Sequence, residues 1–155
     1  MKTIHILFII WVLPSCRDKE STHSESFIIN TSNHEIKILP YDDGNLINGD
    51  IKSIPANSTI KVLALTTRGK STGPSYANNI MFFDSLNIVF DDTISSVHYR
   101  QNLSGDNPEA IKFENNRNLY NEDNYVRKVV MEKKHYISTE YSFTFTEQDY
   151  LNAKN

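Results

Sequence analysis

Apolar and polar residues alternate with a period of two along much of this chain, which restricts it to strands that bury one face. The cleanest instance is Tyr141-Ser142-Phe143-Thr144-Phe145-Thr146, with aromatics on one side and hydroxyls on the other. Successive side chains of a strand point to opposite faces, so such a segment sets one face on a core and wets the other. Leu86, Ile88 and Phe90 alternate in the same way with Asn87, Val89 and Asp91. Ile60, Val62 and Ala64 mark one face of a strand over 59–65, and Val97-His98-Tyr99 supplies another. Phe27-Ile28-Ile29 leads through Thr31-Ser32-Asn33-His34 into Glu35-Ile36-Lys37-Ile38, which predicts a first hairpin with Ile36 and Ile38 inward. Tyr125 to Met131 reads as strand or short helix, and Val126, Val129 and Val130 favour the strand.

Turn signals punctuate these segments. Asp43-Gly44 and Asn48-Gly49 suit positive φ, and Pro55-Ala56-Asn57-Ser58 places proline at the second position of a turn. Arg68 to Asn79 reads as a polar loop, and Gln101 to Asn124 as a long, Asn-rich excursion of the kind that is often functional. Thr146-Glu147-Gln148-Asp149 approaches a helix-capping pattern, with acids at the start and Lys154 at the end. A short C-terminal helix is expected, with Tyr150 and Leu151 touching the sheet. Roughly seven short strands with turns between them predict a mainly β fold, a single antiparallel sandwich of immunoglobulin-like or related type. A small closed barrel is the alternative.

The first sixteen residues carry different information. Lys2 precedes an apolar run from Ile4 to Leu13 broken only by His5, and Leu13-Pro14-Ser15-Cys16 closes it. A basic start, a short apolar core and a small residue before the cut make an export signal, and the run is too short to span a bilayer. Leu13-Pro14-Ser15-Cys16 resembles the lipobox of bacterial lipoproteins, with Pro14 departing from the usual small or β-branched residue. The resemblance implies that the Cys16 thiol receives a diacylglycerol, that residues 1–15 are removed and that the new amino group is acylated. Cys16 is the only cysteine, so the exported chain forms no disulfide within itself. An ordinary cleaved signal with a stray cysteine and an uncleaved anchor are the alternatives.

Residues 16–26 hold no apolar side chain after Cys16 and read as a lipidated cysteine followed by a flexible tether; 27–155 is then the sandwich domain. Charged residues directly after the cysteine resemble the surface-export tags of some Bacteroidetes lipoproteins, although Asp18 and Glu20 alternate here with Arg17 and Lys19. The general texture is similar to the small single-domain envelope lipoproteins of that phylum. The implied location is the outer membrane, on its periplasmic or exposed face, with the membrane held through the lipid and an envelope protein as partner.

Composition and motifs narrow the function classes. Formal charge is −3 and becomes −4 once Lys2 leaves with the signal, with no basic stripe, so nucleic acid is not an expected partner. Arg68-Gly69-Lys70-Ser71-Thr72 has Ala64 where a phosphate loop needs its first glycine, and Thr72-Gly73-Pro74 where it needs a helix. Asp42-Asp43-Gly44-Asn45 with Asp50, and Asp84 with Asp91-Asp92, offer oxygen ligands without EF-hand spacing, so solvated turns are expected and no metal or cofactor is assigned. His34, His98 and His135 stand alone and read as surface or strand-edge residues. No Gly-x-Ser-x-Gly elbow is present, and a hydrolase would need two carboxylates or a Ser-His pair brought within hydrogen-bonding reach by the fold. No catalytic residue is assigned.

Two further features concern the surface. Asp84-Ser85-Leu86 and Asp92-Thr93-Ile94 look like the Asp-(Ser/Thr)-apolar sites at which Bacteroidetes O-glycosylate exported proteins, which would modify Ser85 and Thr93. Tyr76, Tyr120 and Tyr125 are the candidate binding face, since tyrosine joins contact area to a polar tip. The expected function is a non-enzymatic, protein-binding or structural envelope lipoprotein. A small-ligand or glycan receptor is the alternative and requires a concave pocket lined by Tyr with convergent polar groups.

Overall fold

A computed structural model describes residues 20–69, 73–100, 110–111 and 117–154. In chain order the strands are β1 (Ser21–Asn30), β2 (Ile36–Asp42), β3 (Asn45–Leu46), β4 (Lys52–Ile54) and β5 (Ser58–Arg68). Helix α1 (Ser75–Ile80) precedes β6 (Ser85–Phe90), β7 (Ile94–Tyr99), β8 (Ala110–Ile111), β9 (Val126–Lys133), β10 (Tyr136–Phe145) and the closing helix α2 (Glu147–Lys154). One sheet runs β5-β1-β10-β9; the other runs β3-β2-β6-β7-β8, with β4 also paired to β2. The fold is therefore mainly β, two packed open sheets and a C-terminal helix, rather than a closed barrel. Two pairings are parallel, β1 with β10 and β7 with β8; the rest are antiparallel.

The alternating segments supply the core as their pattern requires. Ile28, Phe143 and Phe145 from one sheet meet Ile36, Ile38, Leu86, Ile88 and Phe90 from the other, all buried. Phe90 lies edge-on to Phe145 with ring centroids 6.4 Å apart. The Asp43-Gly44 turn between β2 and β3 adopts positive φ at both residues, as does Asp91-Asp92 between β6 and β7. The helix cap also forms: Asp149 accepts from the Thr146 amide at 2.7 Å and its hydroxyl at 2.9 Å. Tyr150 packs on the core and stacks on His34 at 3.5 Å, whereas Leu151 is an exposed residue.

Several expectations are corrected. The tether over 16–26 is too long, because β1 begins at Ser21 and pairs with β10 at all positions to Asn30. Its inward residues Thr22, Ser24 and Ser26 are small hydroxyls that find partners inside: Thr22 donates to the Gly69 carbonyl at 2.7 Å, and Ser24 and Ser26 both reach the Ser75 hydroxyl. The first hairpin does not form. β1 and β2 belong to different sheets, and Asn30 pins the crossing by donating to the carbonyls of His34, Ile54 and Pro55 while accepting from Ser32. A bulge at Ser26/Phe27 shifts β5, so Ile60, Val62 and Leu63 pack on the core and Ala64 is exposed. The stretch from Arg68 to Asn79 is not loop throughout, since α1 buries Tyr76, Ala77 and Ile80.

His98 is the largest departure. It lies fully inside β7, not on an edge, and its Nδ1 accepts from the Leu119 amide at 3.1 Å. Burial pushes its pKa down to about 3, against a smaller opposite pull from Asp149. The folded chain thus keeps it neutral while the unfolded chain protonates it below about pH 6.5. Its contribution to stability is complete above that pH and is lost progressively as pH falls toward 3. Between neutral pH and about pH 5 this group alone should cost about 2 kcal/mol. Urea unfolding of the wild type and of His98→Asn across that range checks it, and the variant should show a flatter profile. A wild-type profile no steeper than the variant's refutes the assignment.

Candidate functional site

A cavity of about 250 Å³ opens where α1 caps one end of the sandwich. Its apolar lining comes from Ile38 and Pro40 of β2, Val62 and Leu63 of β5, Ile80 of α1, Phe83, and Leu86 of β6. Four polar side chains rim it: Asp50 and Lys52 from the β3–β4 connection and β4, and Tyr76 and Asn79 from α1. Tyr76 is 4% exposed, and its hydroxyl has no hydrogen-bond partner among the described residues. Asp50, Lys52 and Asn79 likewise make no side-chain hydrogen bond or ion pair there. Burial raises the Tyr76 phenol well above its usual range, and the nearby Asp50 carboxylate adds to the shift. The phenol is therefore neutral, a donor toward an acceptor or an acceptor toward a cation.

Local folding explains the arrangement. Ser75 and the Tyr76 amide are gripped by the Ser26 hydroxyl, at 3.2 and 3.1 Å, which fixes the start of α1 against β1. Tyr76, Ala77 and Ile80 then fall on the inward side of a single helical turn. Their spacing was the one sequence signal for this helix. Asp50 and Lys52 arrive through the short 3-10 turn at Asn48–Asp50, with Ile54 anchoring β4 in the core.

Tyr76, Tyr120 and Tyr125 do come together, but as an interior cluster and not as a surface face. All three are buried, with Tyr120 donating to the Phe83 carbonyl at 3.1 Å and Tyr125 to the Leu119 carbonyl at 2.9 Å. Their rings carry large apolar area, and neighbouring carbonyls satisfy two of the three hydroxyls, so the interior is the favourable place for them. Of the three, Tyr76 lines the cavity described above. Thr93 is exposed in the β6–β7 turn, and Ser85 is half-buried at the start of β6. Cys16 and the segment Lys70-Ser71-Thr72 lie outside the described residues.

The acidic turns are occupied by neighbours. Asp84 accepts from Arg100 at 2.9 Å and from the Asp43 amide at 2.9 Å, and Asp92 accepts from Lys37 at 2.6 Å. Among the described residues no three His, Cys, Asp or Glu side chains are placed to hold a metal ion. His34 sits between Asp91 at 2.5 Å and Glu147 at 3.2 Å. The Asp91 contact first, then Glu147, raises its pKa. Both ring nitrogens are engaged by carboxylates, so this group ties α2 to the β6–β7 turn and has no free nitrogen for a nucleophile. No helix among the described residues is long and apolar enough to cross a membrane. No family model, curated protein or solved structure matches this chain.

Proposed function

We propose that this chain is a lipid-anchored envelope protein whose sandwich binds a small zwitterion with an apolar side chain, of the size of an aliphatic or aromatic amino acid. One observation carries the reading: at the Tyr76 cavity four polar side chains with no partner among the described residues stand beside apolar ones. Tyr76 is buried and Lys52 half-buried, where polar groups are normally satisfied, while Asp50 and Asn79 stand exposed at the mouth within reach of a ligand. Lys52 and Asn79 suit a carboxylate, Asp50 and the Tyr76 oxygen suit an ammonium, and the floor takes the side chain. The volume is below that of drug-sized pockets, which restricts the ligand to small molecules. The function is binding, with no covalent step, and the anchoring rests on the lipobox resemblance.

The test is calorimetry on the purified chain with leucine, phenylalanine, isocaproate and isoamylamine as probes. The two amino acids should bind, and each single-ended analogue should bind about tenfold more weakly, because it leaves one charged group facing the cavity unpaired. Tyr76→Phe should weaken leucine binding by about tenfold while leaving unfolding by urea unchanged, since its hydroxyl has no hydrogen-bond partner among the described residues. Equal affinity for leucine and for isocaproate would exclude the zwitterion. Absence of heat with all four probes at millimolar concentration excludes the pocket as their site.

A further inference from the structure

The geometry points to a two-fold dimer in which β9 pairs antiparallel with β9 of a second copy, joining two four-stranded sheets into one of eight. This rests on the edge of the sheet and is independent of the ligand reading. β9 ends its sheet, no described strand pairs with its outer edge, and every one of its residues is exposed. Val126 is 68% exposed and Val130 50%, with Val129 and Met131 beside them. β9 carries four apolar and four charged residues, and a long exposed edge strand is a template for another strand whose charges complement its own.

The register comes from the sequence of the strand itself. An antiparallel pair must place facing residues on the same side of the sheet. Arg127 and Glu132 are five apart and would point to opposite faces of an unbroken strand. Here a bulge opposite Ser138/Thr139 inserts Val130 and resets the alternation. Arg127 stands across from Tyr141 and Glu132 across from Ile137, both on the face of the odd-numbered β10 residues. Lys128 and Met131 stand across from Glu140 and Ser138, on the other face. The symmetric pairing that sets Val129 against Val130 of the second copy therefore matches faces along the whole strand. It also sets Arg127 against Glu132, twice by symmetry, and brings no like charges opposite each other. Sliding by one residue mismatches the faces beyond the bulge and, in one direction, opposes Arg127 to Lys133.

Bulges and lysines often protect an edge by making it a poor template. A bulge at the symmetry centre acts otherwise, because the same irregularity is present on both strands and cancels. The arrangement also suits the anchor. The two-fold axis is perpendicular to the sheet, so both Ser21 ends lie at one height, and both copies can hold the same bilayer.

The experiment is sedimentation of the full chain in detergent with three variants. The wild type should sediment as a dimer at micromolar concentration. Arg127→Glu alone sets acid against acid, and Glu132→Arg alone sets base against base; each should weaken the dimer about tenfold or more, because opposed like charges on facing strands are destabilising. The double variant R127E/E132R restores opposite charges and should recover the dimer. Its circular dichroism should match the wild type throughout, which separates loss of the dimer from loss of fold. A monomeric wild type, alone or with some other protein on β9, overturns the dimer. Single reversals that sediment like the wild type, or a double reversal that fails to recover, overturn the register.

Discussion

Asn118→Ala should lower the stability of the fold by about 3–5 kcal/mol, a large part of the roughly 5–15 kcal/mol that holds a domain together. Asn118 is fully buried, and its amide nitrogen donates to the carbonyls of Tyr99 at 3.0 Å and Ile111 at 2.7 Å. Its side-chain oxygen accepts from the Tyr120 amide at 2.8 Å. It thereby ties the end of β7 to β8 and sets Leu119 and Tyr120 into the core. Alanine would leave the buried Tyr120 N–H and two part-buried carbonyls without this partner, each costing about 1–3 kcal/mol, the carbonyls toward the lower end. Because the Leu119 amide bonds to His98, the variant should also loosen that contact and unfold at a higher pH than the wild type on acidification. Urea unfolding followed by circular dichroism gives the number. A loss under about 1 kcal/mol would mean that water replaces the amide, and that Asn118 does not organise this segment.

This segment also shows where the sequence stops being readable. The inward residues of β2, β6 and β10 are apolar against polar neighbours, so Ile36, Ile38, Leu86, Ile88, Phe90, Tyr141, Phe143 and Phe145 could be assigned to the core by alternation alone. β1 alternates just as strictly in burial, but its first half places Thr22, Ser24 and Ser26 inward and charged or polar residues outward. Nothing in a run of hydrophilic residues marks which face is buried. The marker is Ser75, about fifty positions away, whose hydroxyl receives both serines. The parallel pairing of β1 with β10 has no local signal for the same reason, since it joins segments from opposite ends of the chain.

Polar residues inside the core account for the other misjudgements. His98, Asn30 and Asn118 look like surface residues because their types usually are. Each is instead satisfied by backbone groups of a crossing or irregular segment: the Leu119 amide, the carbonyls at Ile54 and Pro55, and those at Tyr99 and Ile111. The same holds for the cavity. Asp50, Lys52 and Asn79 are ordinary loop and helix-surface residues in sequence, and only the placement of β4 beside α1 turns them toward one apolar floor.

Cys16→Ser is expected to abolish membrane anchoring, the largest effect of any single change in this chain. The serine hydroxyl cannot form the thioether that carries the diacylglycerol, so incorporation of labelled palmitate should fall to background. The protein should move from the detergent phase to the aqueous phase on Triton X-114 partition. Each buried methylene contributes about 0.8 kcal/mol, and two or more chains give stable attachment where one gives only marginal binding, so the change is close to all-or-none. The short reach between anchor and fold makes the consequence sharper. Four residues, Arg17 to Glu20, separate Cys16 from the start of β1 and extend at most about 14 Å. Under the proposed anchoring the sandwich would be confined to the bilayer surface, where local concentration would favour β9 pairing as well. Lengthening this segment with Gly-Ser residues should preserve palmitate labelling while relaxing that confinement, whereas Cys16→Ser removes both. Equal palmitate labelling of the serine variant and the wild type would refute lipid attachment at Cys16.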